Sequence, residues 1–389
     1  LGTITRYIDP TNVEHVISYD GLGRVIQRSI MGQSPYQSIE YNLSAPIPRI
    51  TIHDHDGEAG EYSTDYLFNG AGELVANRVQ LGEARLIISQ YIKRNTRGFA
   101  AKKCDPFVIA TREIPGEVLN STPCSNQTFD ARGRLTEVTD PNGSWTRTTY
   151  LPLKQITQHQ DLEPVMRSRD GLNRPTTTQR EIDGLVEQAT ASYDAAGRLL
   201  SINLQNGEAV HRFGYDTLGH ILWAFDPDQG RRTHTYNDKG QLITTTNAAG
   251  EMIIFSYDDA GRIVSESGSQ GTERTYHYDV AKSGNNEDRT MGRLAWAQEP
   301  TGTVEWRYDT FGRIRETTRF IGGQGATQST TLSPSGRRIS QRFETGPTIN
   351  YGYDKGGRLV RAEPYWEAIE LDPAGRPINE VFGNGVIVK

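Results

Sequence analysis

The stretch YDAAGRLLSI, residues 193–202, returns in slightly altered form as YDDAGRIVSE at residues 257–266 and as YDTFGRIRET at residues 308–317. In each copy two residues separate Tyr-Asp from Gly-Arg, and an aliphatic residue follows the Arg. We call the six-residue pattern Tyr-Asp-x-x-Gly-Arg the phrase. A pattern that recurs at a fixed interval is typical of a repeat protein rather than of a single active site.

The phrase recurs along most of the chain. In full or degenerate form, its second position falls at Asp20, Asn69, Asp130, Asp170, Asp194, Asp216, Asn237, Asp258, Asp279, Asp309, Ser333, Asp354 and Asp372. From Asp194 to Asp279 the intervals are 22, 21, 21 and 21 residues. The residues that we assign to the structural repeat motif are Tyr19, Asp20, Gly23, Arg24, Phe129, Asp130, Gly133, Arg134, Tyr193, Asp194, Gly197, Arg198, Tyr215, Asp216, Gly219, Tyr257, Asp258, Gly261, Arg262, Tyr308, Asp309, Gly312, Arg313, Tyr353, Asp354, Gly357 and Arg358.

The residues around each phrase predict a β-hairpin. Aromatic side chains stand two residues before the Tyr, at Phe213, Phe255, Tyr276, Trp306 and Tyr351, and other residues stand one before it, at Gly214, Ser256, His277, Arg307 and Gly352. Such alternation indicates a strand, and the aliphatic residue after Gly-Arg begins a second one. Helical periodicity is absent over any useful length, so we predict an all-β chain of tandem hairpins.

Each residue of the phrase has a physical role in this interpretation. An Asp carboxylate accepts hydrogen bonds from nearby backbone N–H groups and starts a turn, while Gly adopts the positive φ that the turn needs. We expect the Tyr ring to pack against the equivalent ring of the adjoining hairpin. The Arg guanidinium can lie across such a ring or reach a neighbouring Asp. The phrase is therefore predicted to be a building unit and not a binding site.

The number of hairpins predicts a curved sheet. Thirteen hairpins at a strand spacing of about 4.8 Å would extend about 120 Å, and twisted open sheets rarely exceed about ten strands before they curl. Polar residues at the third and later positions of the second strands, namely Glu137, Thr244, Ser265, Glu316 and Arg361, favour a sheet wetted on both faces. We expect one continuous array over residues 1–389, with irregular insertions near 70–129 and 280–291 and with both ends falling inside a repeat of a longer protein.

The composition argues against several classes of function. The 42 basic and 48 acidic residues give a net charge of −6, so no basic surface predicts a nucleic-acid partner. Apolar runs such as LIIS at residues 86–89 are too short to cross a membrane. The two cysteines, Cys104 and Cys124, leave open a single bridge or two free thiols.

Few residue clusters resemble a chemical site. HDHDGEAGE, residues 53–61, contains two His, two Asp and two Glu, but His53 and His55 would face the opposite side of a strand from Asp54 and Asp56. We interpret it as a solvated loop in preference to a metal site. Packing is the role that we assign to His211, His234 and His277, which lie near phrase tyrosines. A nucleophile pair of Cys104 with a distant His has no support from nearby residues. The five Trp leave sugar binding as an alternative. We predict no catalytic, cofactor-binding or metal-ligating residues.

These residues resemble the YD repeats of the RHS family, which includes bacterial RHS polymorphic toxins, the B and C subunits of Tc toxins, and animal teneurins. The resemblance implies a β-strand spiral that forms a hollow shell, often around a toxic C-terminal polypeptide. Shells of the family usually end in a core whose aspartates release the toxin, whereas LDPAGRP at residues 371–377 resembles an ordinary degenerate repeat. Self-cleavage by this chain is therefore not expected.

The function that the resemblance implies is that of a non-catalytic shell segment of a secreted or delivered bacterial toxin. Its expected partners are the remaining shell segments and a C-terminal toxin cargo, with no cofactor, nucleic acid or membrane span. A rival hypothesis is a cell-surface module that recognises a glycan or a protein. A third is an enzyme located within the insertion at residues 70–129.

Overall fold

The computed structural model describes residues 3–44, 47–57, 60–81, 85–110, 121–204, 207, 209–269 and 271–389. These residues form 35 strands, and the 3₁₀ turn Asn286–Asp288 is a short helical element between two of them. The prediction of an all-β chain of hairpins is therefore confirmed. The strands are β1 (Arg6–Ile8), β2 (Glu14–Tyr19), β3 (Val25–Ile30), β4 (Gln37–Asn42), β5 (Arg49–His55), β6 (Glu61–Phe68), β7 (Leu74–Gln80), β8 (Leu86–Arg94), β9 (Ala100–Cys104), β10 (Phe107–Ile109), β11 (Cys124–Phe129), β12 (Leu135–Thr139), β13 (Trp145–Leu151), β14 (Lys154–His159), β15 (Val165–Arg169), β16 (Pro175–Ile182), β17 (Leu185–Tyr193), β18 (Leu199–Leu204), β19 (Ala209–Tyr215), β20 (Ile221–Asp226), β21 (Gly230–Tyr236), β22 (Leu242–Thr246), β23 (Met252–Tyr257), β24 (Ile263–Gly268), β25 (Glu273–Tyr278), β26 (Leu294–Glu299), β27 (Gly302–Tyr308), β28 (Ile314–Ile321), β29 (Gln324–Leu332), β30 (Arg338–Phe343), β31 (Ile349–Tyr353), β32 (Leu359–Glu363), β33 (Trp366–Leu371), β34 (Pro377–Phe382) and β35 (Ile387–Val388).

The phrase forms the turn of a hairpin. In the turn between β17 and β18, the amide of Asp194 donates to the carbonyl of Arg198 at 3.0 Å, and the amide of Gly197 donates to the carbonyl of Asp194 at 3.0 Å. Gly197 has a φ of +85°, a conformation that L side chains rarely adopt. Oδ1 of Asp194 accepts the amide of Arg198 at 2.8 Å, so Asp and Gly both act in the turn as predicted.

A β-bulge accompanies the turn. Ser192 stands opposite Ser201, but the next pair is Tyr193 opposite Leu199, so the register shifts by one residue at the phrase Tyr. The same shift occurs at Tyr19, Phe68, Phe129, Tyr215, Tyr236, Tyr257, Tyr308 and Tyr353. Because a bulge re-aims the side chain next to it, each phrase sets the direction of its own Tyr.

The chain divides into two compact units. The first unit comprises Leu1–Cys124, His277–Ala297 and Thr301–Lys389, and the second comprises Ser125–Tyr276 and Gln298–Pro300. The main buried cluster lies in the first unit and consists of Leu67, Ala76, Ile88, Cys104, Phe107, Ile109 and Cys124. Among the described residues of the second unit, no side chain is buried. The second unit is thus a sheet without a core of its own.

The insertion at residues 280–291 leaves the closing bond of its turn in place. The amide of Asp279 still donates to the carbonyl of Arg293 at 3.0 Å, and the amide of Gly292 donates to Oδ1 of Asp279 at 2.7 Å. The inserted residues carry Asp288, which is buried and lies 3.2 Å from Nε of Arg307. The insertion is therefore a loop that the turn tolerates.

The insertion near residues 70–129 adds the strands β8, β9 and β10 and a disulfide. Cys104 and Cys124 are bonded, with an S–S distance of 2.05 Å, and both lie in the buried cluster of the first unit. The bridge settles what the sequence left open, and it removes Cys104 as a candidate nucleophile. Residues 82–84 and 111–120 of this insertion lie outside the described residues.

Candidate functional site: a ladder between repeats

In each phrase with an Asp–Arg pair, both carboxylate oxygens of the Asp accept bonds from donors of the same turn. Oδ1 of Asp170 accepts the amides of Leu172 and Arg174, both at 2.9 Å, and Oδ2 accepts Nε of Arg174 at 2.6 Å. The Asp–Arg pair of the turn is repeated at Asp20–Arg24, Asp130–Arg134, Asp194–Arg198, Asp258–Arg262, Asp309–Arg313, Asp354–Arg358 and Asp372–Arg376. The amide of Arg174, assisted by its guanidinium, holds the pKa of Asp170 below the usual value against the opposing effect of desolvation.

The Arg of a phrase reaches a tyrosine of the following hairpin. The guanidinium of Arg198 lies over the ring of Tyr215, 5.1 Å from its centroid, and that of Arg174 lies over Tyr193 at 4.8 Å. The same arrangement occurs at Arg24–Tyr41, Arg134–Tyr150 and Arg293–Tyr308. At these positions a cation occupies the place where we expected a second ring. Where His220 replaces the Arg, its ring stacks on Tyr236 at a centroid distance of 4.7 Å.

The tyrosine in turn binds the preceding repeat through its hydroxyl. The hydroxyl of Tyr215 donates to the carbonyl of Leu199 at 2.8 Å. Equivalent bonds join Tyr19 to Ile4, Tyr41 to Val25, Tyr150 to Leu135, Tyr193 to Pro175, Tyr236 to Ile221, Tyr257 to Leu242, Tyr308 to Leu294 and Tyr353 to Arg338. Burial raises the pKa of Tyr215, which keeps the hydroxyl protonated as a donor.

Together these contacts form a ladder along the turns. The Asp folds its own turn, the Arg reaches forward and the Tyr reaches back, so each repeat is tied to both neighbours. An exposed cation–π contact contributes about 0.5–1 kcal/mol and a neutral hydrogen bond about 1 kcal/mol. In the second unit, where no described side chain is buried, this repeated linkage takes the place of a core.

A second set of contacts joins the residue before each phrase Tyr to the residue opposite it, and we call these the pre-tyrosine pairs. They include Ser192–Ser201, Gly214–Trp223, Thr235–Thr244, Ser256–Ser265, Arg307–Glu316 and Gly352–Arg361. In these six pairs, Ser or Thr stands opposite the same residue type, Arg stands opposite Glu, and Gly stands opposite Trp or Arg. Four of the polar positions predicted from the sequence, Thr244, Ser265, Glu316 and Arg361, are members of these pairs, and Glu137 stands opposite Thr128 in the same way.

The HDHDGEAGE segment is not the solvated loop that we expected. Nδ1 of His53 lies 2.7 Å from Oγ of Ser63, and Nε2 of His55 lies 3.0 Å from Oγ of Ser38. Asp56, however, is only 1 % exposed, so the interpretation as a solvated loop was wrong for this residue. Its carboxylate is buried because it binds a second part of the chain, which no local pattern could reveal. Glu58 lies outside the described residues.

The other candidates serve packing and pairing. His277 stacks on Trp296 with ring centroids 3.5 Å apart, which confirms its packing role, whereas Nδ1 of His211 lies 3.4 Å from Oδ2 of Asp226. Burial lowers the pKa of His234. Within the described part of the chain, no group of three or more His, Cys, Asp or Glu residues is arranged to hold a metal ion. No helix in that part is long and apolar enough to cross a bilayer.

Comparison with known proteins confirms the resemblance to the RHS and YD-repeat family. Residues 105–285 match the family model described as the teneurin YD-shell. Double-stranded DNA deaminase toxin A of Burkholderia cenocepacia (strain H111) is 28 % identical over an alignment of 262 positions, and the match covers 60 % of this chain and 17 % of that protein. The chain therefore spans less than a fifth of the length of this relative.

Solved structures show the same fold. The crystal structure of the TcdB2–TccC3 complex superposes with a TM-score of 0.85 over 98 % of this chain and 25 % of that one, at 15 % identity. The Photorhabdus luminescens Tc holotoxin pore gives a TM-score of 0.83 over 98 % of this chain and 27 % of that one, at 14 % identity. The chain thus has the β-strand fold of a Tc toxin shell, over about a quarter of the length of those chains.

Proposed function

Since the chain has the YD-repeat fold of a Tc toxin shell, we propose that it is a non-catalytic segment of a toxin shell that encloses a polypeptide until delivery. The observation that carries this proposal is the TM-score of 0.85 over 98 % of the chain. The enclosing action would be steric, because a confined chain can neither refold nor meet its target. The protein would be secreted or delivered, and its partners would be further shell segments and the enclosed polypeptide.

The surface of the second unit supports this proposal. Ile253 and Ile254 are each 40 % exposed, and successive residues of a strand point to opposite faces of the sheet. Both faces of β23 therefore carry apolar surface that the unit itself does not cover. Because the ladder between repeats stabilises the sheet along its turns, the faces remain free to contact another polypeptide.

The chemistry of the phrase supports a structural role. A general acid or base needs a carboxylate whose pKa lies near the working pH and whose oxygens are accessible to a substrate. The amide of Arg198 and then its guanidinium hold the pKa of Asp194 below its usual value, and both oxygens of Asp194 accept bonds from that Arg. Carboxylates bound in this way are ionised parts of the turn.

Enclosure is tested on the intact protein that contains this chain. The enclosed polypeptide is a part of that protein that does not belong to the repeat array. We expect protease to cleave it only under conditions that also unfold the array, because the folded shell excludes the protease. Mass spectrometry of the fragments over a urea series measures both events. Cleavage of that polypeptide while the array stays folded would refute enclosure.

Two further assays on the 389-residue chain separate the alternatives. Hydrolase, nuclease and ADP-ribosyl transfer assays, with and without divalent metals, should give no turnover, and turnover lost by one substitution in residues 70–129 would favour an enzyme. Specific binding to one glycan in an array, lost when one of the half-buried Trp residues is replaced, would favour a surface-recognition module.

A further inference from the structure

Two incomplete phrases of the first unit meet each other. The turn that begins at Ser333 has the Arg of a phrase, Arg337, but a serine in place of the Asp. It keeps the standard backbone, since the amide of Ser333 donates to the carbonyl of Arg337 at 2.8 Å. Oγ of Ser333 accepts the amide of Arg337 at 3.0 Å, as a phrase carboxylate would, but it offers the guanidinium no negative charge.

The complementary turn begins at Asp56, between β5 and β6. The amide of Asp56 donates to the carbonyl of Gly60 at 2.9 Å, which is the closing bond of a phrase turn. The position that holds Arg in a full phrase is therefore Gly60. This turn has the Asp of a phrase without its Arg, whereas the turn at Ser333 has the Arg without the Asp.

The side chains of the two turns complete each other. Arg337 donates from its guanidinium to Oδ2 of Asp56, and Ser335 donates its amide to Oδ1 at 2.8 Å and its hydroxyl to Oδ2 at 2.5 Å. The guanidinium also lies over the ring of Tyr62, 3.9 Å from its centroid. Asp, Arg and Tyr thus stand as in the ladder, but Asp56 is 279 residues from Ser335 and 281 residues from Arg337 in the sequence.

We propose that Asp56, Tyr62, Ser335 and Arg337 form a clip that fixes how the N-terminal hairpins of the first unit register against its C-terminal repeats, and that Ser333 is the residue that assigns Arg337 to this clip. A carboxylate at 333 would bind Arg337 within its own turn, as it does in the full phrases. The serine therefore specifies a contact between distant segments instead of a contact between neighbouring repeats.

The clip is enclosed on the side of the following phrase. A Cβ built on Gly357 would lie 2.9 Å from a guanidinium nitrogen of Arg337 and 3.2 Å from the ring of Tyr62. Asp56 is 1 % exposed and Tyr62 is 6 % exposed. A buried carboxylate in such a site needs its cation, because an unpaired charge away from water is strongly unfavourable.

In a second pair of turns, an Asp turn that lacks a phrase Arg again lies beside the Arg of a distant turn. The turn that begins at Asp9 closes through the amide of Asp9 and the carbonyl of Val13, so it also lacks a phrase Arg. Oδ2 of Asp9 lies 3.8 Å from the guanidinium of Arg293, whose own phrase is interrupted by the insertion at residues 280–291. Between these two ion pairs, Phe311 meets Tyr36 edge to face at 5.2 Å. Three successive C-terminal turns therefore contact three successive N-terminal segments.

The test moves the carboxylate between the two turns and follows amide hydrogen exchange. In Asp56→Asn, Arg337 loses its charged partner, so exchange at residues 60–62 and 335–337 should accelerate by on the order of 100-fold. In Asp56→Asn combined with Ser333→Asp, the new carboxylate should bind Arg337 within its own turn. Exchange at 335–337 should then return to the parental rate while exchange at 60–62 stays fast.

Two further variants make the result decisive. Ser333→Asp alone should withdraw Arg337 from Asp56 and accelerate 60–62 only, which tests the clip even if Asp56→Asn does not fold. The matched control Asp194→Asn breaks a full phrase of the second unit and should accelerate exchange at residues 194–198 without affecting 60–62. Parental exchange at 60–62 in Ser333→Asp, or an equal acceleration there in Asp194→Asn, would overturn the proposal.

Discussion

Replacing Gly214 with Ser should destabilise the second unit, because the indole of Trp223 occupies the space that a side chain at this position needs. A Cβ built on Gly214 would lie 2.1 Å from Nε1 and 2.3 Å from Cε2 of Trp223. Favourable contacts between heavy atoms lie at about 3.5–4.0 Å, so the ring must move. Arg231 lies over the same indole at 4.8 Å, and a shift of the ring weakens that contact as well. Overpacking together with the lost cation–π contact should lower the free energy of unfolding by about 2–3 kcal/mol.

The same substitution should be almost neutral when Trp223 is also Ser. The double variant then has a serine pair like Ser192–Ser201, whose hydroxyl oxygens lie 2.7 Å apart. Urea unfolding followed by far-UV circular dichroism of the parent, both single variants and the double variant measures the coupling. We expect a coupling energy of about 1.5–3 kcal/mol, whereas uncoupled sites add to within about 0.5 kcal/mol. Additivity within that limit would refute the steric account of the pre-tyrosine pair. Thr235→Ser, which keeps its hydroxyl at a small–small pair, is the matched control.

Four other perturbations test the ladder and the bridge. Gly261 has a φ of +81°, so Gly261→Val should lower the free energy of unfolding by about 1–3 kcal/mol. Ala260 is its exposed neighbour, and Ala260→Val should change thermal stability little. Tyr215→Phe keeps the ring and removes the 2.8 Å bond to a carbonyl, so urea unfolding should show a loss of about 1 kcal/mol. Reducing the disulfide, which joins residues 20 apart, should lower stability by about 3 kcal/mol, measured with and without reductant and with the double Cys→Ala variant as a check. Backbone amides lower the pKa of phrase aspartates such as Asp130 and Asp258. Their contribution to stability is therefore present above the unfolded pKa of about 3.9 and is lost as pH falls through the lower folded values, so unfolding curves should shift below about pH 4 and not between pH 5 and 8.

The local structure of the repeats could be predicted from the sequence because its causes are local. Alternation before the Tyr identifies the first strand, and the Asp and Gly of the phrase identify the turn, all within ten residues. The direction of the Arg and Tyr side chains was harder to predict from the sequence. It depends on the bulge at the Tyr, which places the guanidinium of Arg198 over Tyr215 where a ring was expected.

The contacts between distant segments could not be predicted from the sequence by the same reasoning. The buried position of Asp56 depends on Arg337, and no period in the sequence connects the two. A signal did exist in the two places where a phrase turn keeps one member of the Asp–Arg pair and loses the other, at Gly60 and Ser333. The disulfide was left open for a related reason, since the spacing of two cysteines does not say whether they lie side by side.

The turn at Asp279 shows that a phrase turn can close around a longer loop. Its closing amide–carbonyl bond to Arg293 forms although residues 280–291 have been added between the two halves of the phrase. The entropic cost of closing a loop grows only slowly with its length, so additional residues there are inexpensive in free energy. Each phrase turn is therefore a point at which an evolving or engineered chain can acquire new sequence, even a folded insert with closely spaced ends, without re-pairing a single strand.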